Sequence, residues 1–123
     1  MKILLILLMF FCLSSCNKNK EVPRMQYKGN WKGSSLVIGD SVSTVDLTPV
    51  KLNLKENSRY EYINNIGQME AGTYFVRDSL LITMDTTVSP SKETAVHIIK
   101  AENDSLLIRM NMSTQEAVMY FVK

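Results

Sequence analysis

The chain has 123 residues, a formal net charge of +2 and a hydrophobic share of 46%, enough for one folded domain with its own core and not for two. The charge is divided: Asn17–Lys32 carries five basic residues and one acid, whereas residues 33–123 carry eight basic residues and eleven acids. An acidic body without a basic face excludes the phosphate footprint of a nucleic-acid-binding protein, and two cysteines, Cys12 and Cys16, both near the start, exclude a disulfide framework or a Cys-based zinc site in the rest.

In chain order, Lys2 precedes the apolar run Ile3–Phe11, ILLILLMFF. That run is shorter than the roughly 20 residues that span a bilayer and has the length of a signal-peptide h-region. Ser14 and Ser15 supply the small residues of a cleavage site, and Leu13-Ser14-Ser15-Cys16 resembles the lipobox of bacterial lipoproteins. The resemblance implies a signal peptide over 1–15, a diacylglycerol on the sulfur of Cys16, and an acylated cysteine with a basic tether over 16–28. It places the protein on the outer membrane through its lipid, facing either the periplasm or the cell surface. The residues alone also allow an ordinary signal peptide with Cys16 as a spare thiol. The tether reads as a soluble spacer; its lysines also suit anionic headgroups, at about 1 kcal/mol per charge near the surface.

From Asn30 onward no segment keeps a helical period. Short apolar alternations recur between Asn, Asp, Ser and Gly, the pattern of strands joined by tight turns. The expected strands are NWKGSSLVI, VKLNLKEN, RYEYINN, MEAGTYFVR, SLLITMD, TAVHIIKAE, SLLIRMNM and EAVMYFVK. Residues 78–84 (DSLLITM) and 104–110 (DSLLIRM) echo one another and predict two equivalent hairpin turns. In that reading Leu80, Ile82 and Met84 face the same way as Leu106, Ile108 and Met110. Eight sequential strands predict an all-β domain over 29–123, an eight-stranded antiparallel up-and-down barrel that removes exposed edges. A β-sandwich of similar strand count is the alternative.

Gly29-Asn30-Trp31 resembles the Gly-x-Trp signature of the first lipocalin strand. The run LNLKENSRYEYI followed by EAGTYFVRDSLLITM is similar to the small lipocalin-like barrels of bacterial lipoproteins, including the N-terminal barrel of NlpE copper-stress lipoproteins. The resemblance implies a lipocalin-like barrel with Trp31 across its closed end. The Thr-Asp-Tyr lipocalin motif and the C-terminal helix are absent, and so is the Cys-x-x-Cys of NlpE. Arg109 is expected to face outward, away from Trp31.

Catalysis has little to work with. His97 is the only histidine and has no Gly-x-Ser-x-Gly partner of the kind a nucleophilic triad uses. No acidic pair and no glycine-rich phosphate loop stand out, so the expectation is a protein that is not an enzyme and needs no cofactor. Tyr60, Tyr62 and Tyr74 offer apolar rings with polar tips, as ligand cavities do. With His97, Met84 and Met110 they form the expected interior site for a small apolar ligand, with Gly39–Pro49 and Thr86–Glu93 as segments at its mouth. Met84, Met110, Met112 and Met119 are expected to point inward. Thioethers suit Cu(I), a further use for such a cluster beside His97, although methionine more commonly fills irregular cores. Val96, Ile98, Leu107, Val118, Tyr120 and Val122 are expected on the outer face, which reads either as a surface for an envelope partner (accessory subunit, sensor or inhibitor) or as a reversal of inside and outside on those strands.

Overall fold

A computed structural model of the chain describes residues 27–112 and 114–123. The expected signal peptide over 1–15, Cys16 and all of the tether before Tyr27 lie outside the described residues. The elements are β1 (Gly29–Ile38), β2 (Ser41–Val42), β3 (Lys51–Leu54), β4 (Arg59–Ile63), β5 (Met69–Arg77), β6 (Leu80–Asp85), β7 (Lys92–Ala101), β8 (Ser105–Met112) and β9 (Gln115–Val122). All pairings are antiparallel, in the order β2-β1-β3-β4-β5-β6-β7-β8-β9, and β1 also pairs with β9. That last pairing closes an eight-stranded up-and-down barrel with the short β2 as an appendage of β1. The eight strands read from the sequence are its eight staves, and its shape is lipocalin-like.

Local chemistry explains the turns. Between β3 and β4, Lys55 N–H donates to Arg59 O at 2.9 Å and Ser58 takes φ 65°, the left-handed position of a three-residue hairpin loop. Between β4 and β5, the Asn64 side-chain oxygen accepts from the N–H groups of Ile66 and Gln68 at 3.0 and 2.9 Å, and Gly67 takes the left-handed position at φ 82°. Asp78 and Ser79 both have positive φ (52° and 69°) between the paired residues Arg77 and Leu80. Asn and Asp tolerate this region better than most non-glycine residues.

The core lies inside the barrel. Trp31, Leu54, Tyr60 and Leu106 are almost wholly buried. One end is closed by Trp31, whose Nε1–H donates to Tyr27 O at 2.8 Å and whose ring lies 4.8 Å beneath the Lys123 ammonium. Tyr27 meets Tyr74 edge-on at 6.3 Å. A register shift between Gly33 and Ser35 in β1 turns both Trp31 and Leu36 inward, although their numbers differ in parity.

Strands β6 and β7 correct the expected faces. Leu81 pairs with Val96 and Thr83 with Thr94 on the inner face, while Leu80 pairs with His97, Ile82 with Ala95 and Met84 with Glu93 on the outer face. Met84 and His97 therefore point outward, against expectation, and Val96 and Ile98 point inward. The two DSLLI echoes have opposite phase. In the first, Asp78 and Ser79 are the two turn residues, so Leu80 lies opposite Arg77 and shares its outward face. In the second, Glu102 N–H donates to Ser105 O, so Asn103 and Asp104 make the turn and Leu106 pairs inward with Ala101. A one-residue displacement of the turn inverts every side chain that follows.

Candidate functional site: the barrel interior and its open end

The strand directions place Trp31, Leu54 and the 78–79 and 102–105 turns at the closed end, and the 39–50, 64–68 and 86–91 segments at the other. Both segments expected at a mouth, Gly39–Pro49 and Thr86–Glu93, are at this open end, although Ser41–Val42 and Lys92–Glu93 are strand. Just inside lies a cavity of about 210 Å³. Leu52, Leu81, Val96, Ile108, Met110 and Phe121 form its apolar walls, and Tyr62, Glu70, Thr83 and Thr94 its polar ones. A second, more open hollow of about 460 Å³ lies at the rim between the 64–68 hairpin and the 86–88 segment, and shares Tyr62 and Glu70 with the cavity. The rim bears exposed apolar side chains: Val42, Ile66, Met69, Val88 and Met112.

The alternation of β5 projects Glu70, Gly72, Tyr74 and Val76 inward. Glu70 lies opposite Tyr62 and accepts a hydrogen bond from the Tyr60 hydroxyl at 2.9 Å. Burial pushes the Tyr60 phenol well above its usual 10, and the hydrogen bond to Glu70 and the Glu70 charge push the same way. Burial, then the Glu70 charge, raises Tyr62 as well. Tyr74 is deeper. Its hydroxyl donates to Lys55 O at 2.9 Å, and burial, then Tyr27 and Glu56, push its pKa up to about 12. Asp85, at the inner rim, accepts from Thr87 Oγ1 at 2.6 Å and Thr87 N at 2.9 Å. These bonds, side chain first, hold its carboxyl below the usual range against the opposing effect of burial.

Of the six expected site residues, Tyr62 and Met110 line the cavity. Tyr60 stands behind it as the partner of Glu70, and Tyr74 belongs to the closed-end core. His97 and Met84 are on the outer wall, as their register shows. The methionine set is accordingly divided: Met110 and Met119 face inward, Met84 faces outward, and Met112 is exposed at the rim. Among the described residues no group of three or more His, Cys, Asp or Glu side chains converges as for a metal ion. The chief polar residues missed in the sequence are Glu70, Thr83 and Thr94. Glu70 has the parity of Tyr74 on the same strand, the signal that places it inside.

The outer wall also differs from expectation. Leu107, Val118, Tyr120 and Val122 face outward, but Val96 and Ile98 do not. Leu107 and Ser35 flank Tyr120, and Val37 pairs with Val118, so the apolar stripe runs over β8, β9 and β1. On the opposite wall Phe75 pairs with Ile82, and the Arg77 guanidinium lies 5.7 Å over the Phe75 ring.

Compared with family models, curated proteins and solved structures, the chain has no significant match.

Proposed function

We propose that this protein is a non-catalytic, lipid-anchored binding protein of the bacterial outer membrane whose barrel takes up one small, mainly apolar molecule. The observation that carries the reading is the cavity of about 210 Å³ with six apolar walls, reached through an apolar rim. A cavity of about 150 Å³ holds benzene, so this one suits a body of about eight non-hydrogen atoms. No histidine reaches the cavity, since His97 is outside. The anchor rests on the Leu13-Ser14-Ser15-Cys16 string.

Titration of the purified domain with hexanol, followed by amide and methyl NMR, tests the binding reading. Shifts are expected at Leu52, Val96 and Ile108, and Val96→Phe, which fills the space, should remove them. Absence of saturable shifts in the wild-type chain refutes it. For the anchor, the mature chain should begin at Cys16 with lipid mass attached, and Cys16→Ser should release the protein from the membrane fraction.

The apolar stripe of Leu107, Val118, Tyr120 and Val122 favours a second use, the holding of an envelope protein against β8 and β9. A photo-crosslinker at Tyr120 should capture a defined partner in cells, and one at Lys51 should not.

A further inference from the structure

The cavity has an uneven charge. Of its lining residues, Glu70 alone is ionisable as an acid at neutral pH, and no Lys, Arg or His is among them. The Tyr60 hydroxyl engages Glu70 Oε2, which sets the carboxylate in place, and among the described residues no bond is made to Oε1. Tyr62, Thr83 and Thr94 add hydroxyls on the same lining. The carboxylate is also shared with the rim hollow, so a polar head placed there stays near water while the body enters the apolar part.

The ends of the barrel differ in charge too. The open end carries Asp40, Asp46, Asp85, Glu93 and Glu116 besides Glu70, against Lys51 and Lys92; Arg109 approaches Glu116 at 3.9 Å. The closed end carries Lys28, Lys55, Arg59, Arg77, Lys100 and Lys123 against Glu56, Asp78, Glu102 and Asp104. A mouth of one sign draws opposite charges toward it and turns like charges away.

We infer that the ligand is a small cationic amphiphile, an alkyl or aryl ammonium whose head binds the Glu70 carboxylate and whose body lies among Leu52, Leu81, Val96 and Ile108. This rests on the interior-binding reading above and specifies its ligand. A neutral molecule gains the apolar contacts alone. A carboxylate must approach Glu70 unpaired and is repelled, as burial of like charges requires.

Hexylamine, hexanol and hexanoate have the same chain and differ in the head, so they separate the two readings. Hexylamine should bind at least about 10-fold tighter than hexanol, the equivalent of about 1.4 kcal/mol, and hexanoate should bind weakest. The amine's affinity should fall between 20 mM and 500 mM salt while the alcohol's changes little, as screening of a charge pair demands. Glu70→Gln, which keeps an acceptor for Tyr60, should bring the amine-to-alcohol ratio near one. If all three bind alike, or hexanoate binds best, the ammonium assignment fails and the interior-binding reading stands. If none binds, both fail. The comparison in the wild-type chain decides the question even if Glu70→Gln does not fold.

Discussion

Gly72 sits on β5 opposite Tyr60 and Asp85, and replacing it with alanine is a sharp test of the barrel geometry. Its backbone does not have positive φ, so its need for glycine is one of space. A Cβ there would overlap the Met84 carbonyl oxygen and stand 3.0 Å from both Met84 C and Thr86 N. All three atoms are backbone, so no side chain can rotate away, and β5 and β6 must separate. Overpacking of this kind costs about 2–3 kcal/mol. The Thr86 N–H to Ala71 O bond at 2.9 Å is next to the overlap, and its loss adds about 1 kcal/mol. The expected cost of Gly72→Ala is about 3–4 kcal/mol, a large fraction of the stability of a small domain. Gly33 is the milder comparison: its Cβ would meet Val50 Cβ and Cγ1 at 2.9 Å, a contact relieved by a small shift of the 47–50 segment without parting two paired strands, so Gly33→Ala should cost about 1–2 kcal/mol. Urea unfolding followed by Trp31 fluorescence, with circular dichroism as a second probe, measures both. A Gly72→Ala loss below about 1 kcal/mol, or one no larger than that of Gly33→Ala, refutes the close approach of β5 and β6.

The opposite phase of the two echoes predicts that Leu81→Asp costs more than about 4 kcal/mol, by burying an unpaired charge, and Leu80→Asp about 1 kcal/mol or less; in the second copy Leu106→Asp should be the damaging change and Leu107→Asp the mild one, and thermal melts of the four variants check it. Tyr60→Phe removes the bond to Glu70 and should cost about 1.5 kcal/mol at neutral pH in urea titrations. Tyr60 and Tyr74 are held protonated above 10.0, Tyr74 up to about 12. The folded chain thus keeps protons that the unfolded chain releases, and the contribution of these tyrosines to stability should be flat below pH ~10 and fall from there toward pH ~12, a fall that Tyr74→Phe should flatten in melts against pH. Asp85 has the opposite sign: its folded pKa lies below 3.8, so its contribution is present above about pH 4 and lost as pH falls below it. The difference in Tm between Asp85→Ala and wild type should close in acid.

Much of this molecule is legible in its residues. The eight staves follow from period-two alternation, and their turns from Asn, Asp, Ser and Gly at the positions where left-handed backbone is needed. The shared faces of Tyr60 with Tyr62 and of Leu106, Ile108 and Met110 follow from the same alternation, whereas the place expected for Trp31 came from the resemblance of Gly29-Asn30-Trp31 to the lipocalin signature. Two of the six expected site residues, Met84 and His97, lie on the opposite face for one physical reason. Alternation sorts the residues of a strand into two faces without saying which face is inside, and that label passes from strand to strand through the turns. Tyr74 faces inward, so Arg77 faces outward, and a two-residue turn at Asp78-Ser79 puts Leu80 opposite Arg77. The similar string at Asp104-Ser105 belongs to a turn centred one residue earlier, which reverses the result. His97 and Met84 moved out, and Val96 and Ile98 moved in, on that single residue.

Local backbone preference and composition are enough to set the class of fold, the number of staves, the polarity of the turns and the division between a basic leader and an acidic body. The phase of β6 and β7, the gathering of Glu70, Tyr62, Thr83 and Thr94 around one cavity, and the position of Gly72 against the carbonyl of Met84 emerge with the folded barrel. Those depend on register across the closed sheet, where residues far apart in the chain become neighbours and a shift of one residue exchanges the inside for the outside.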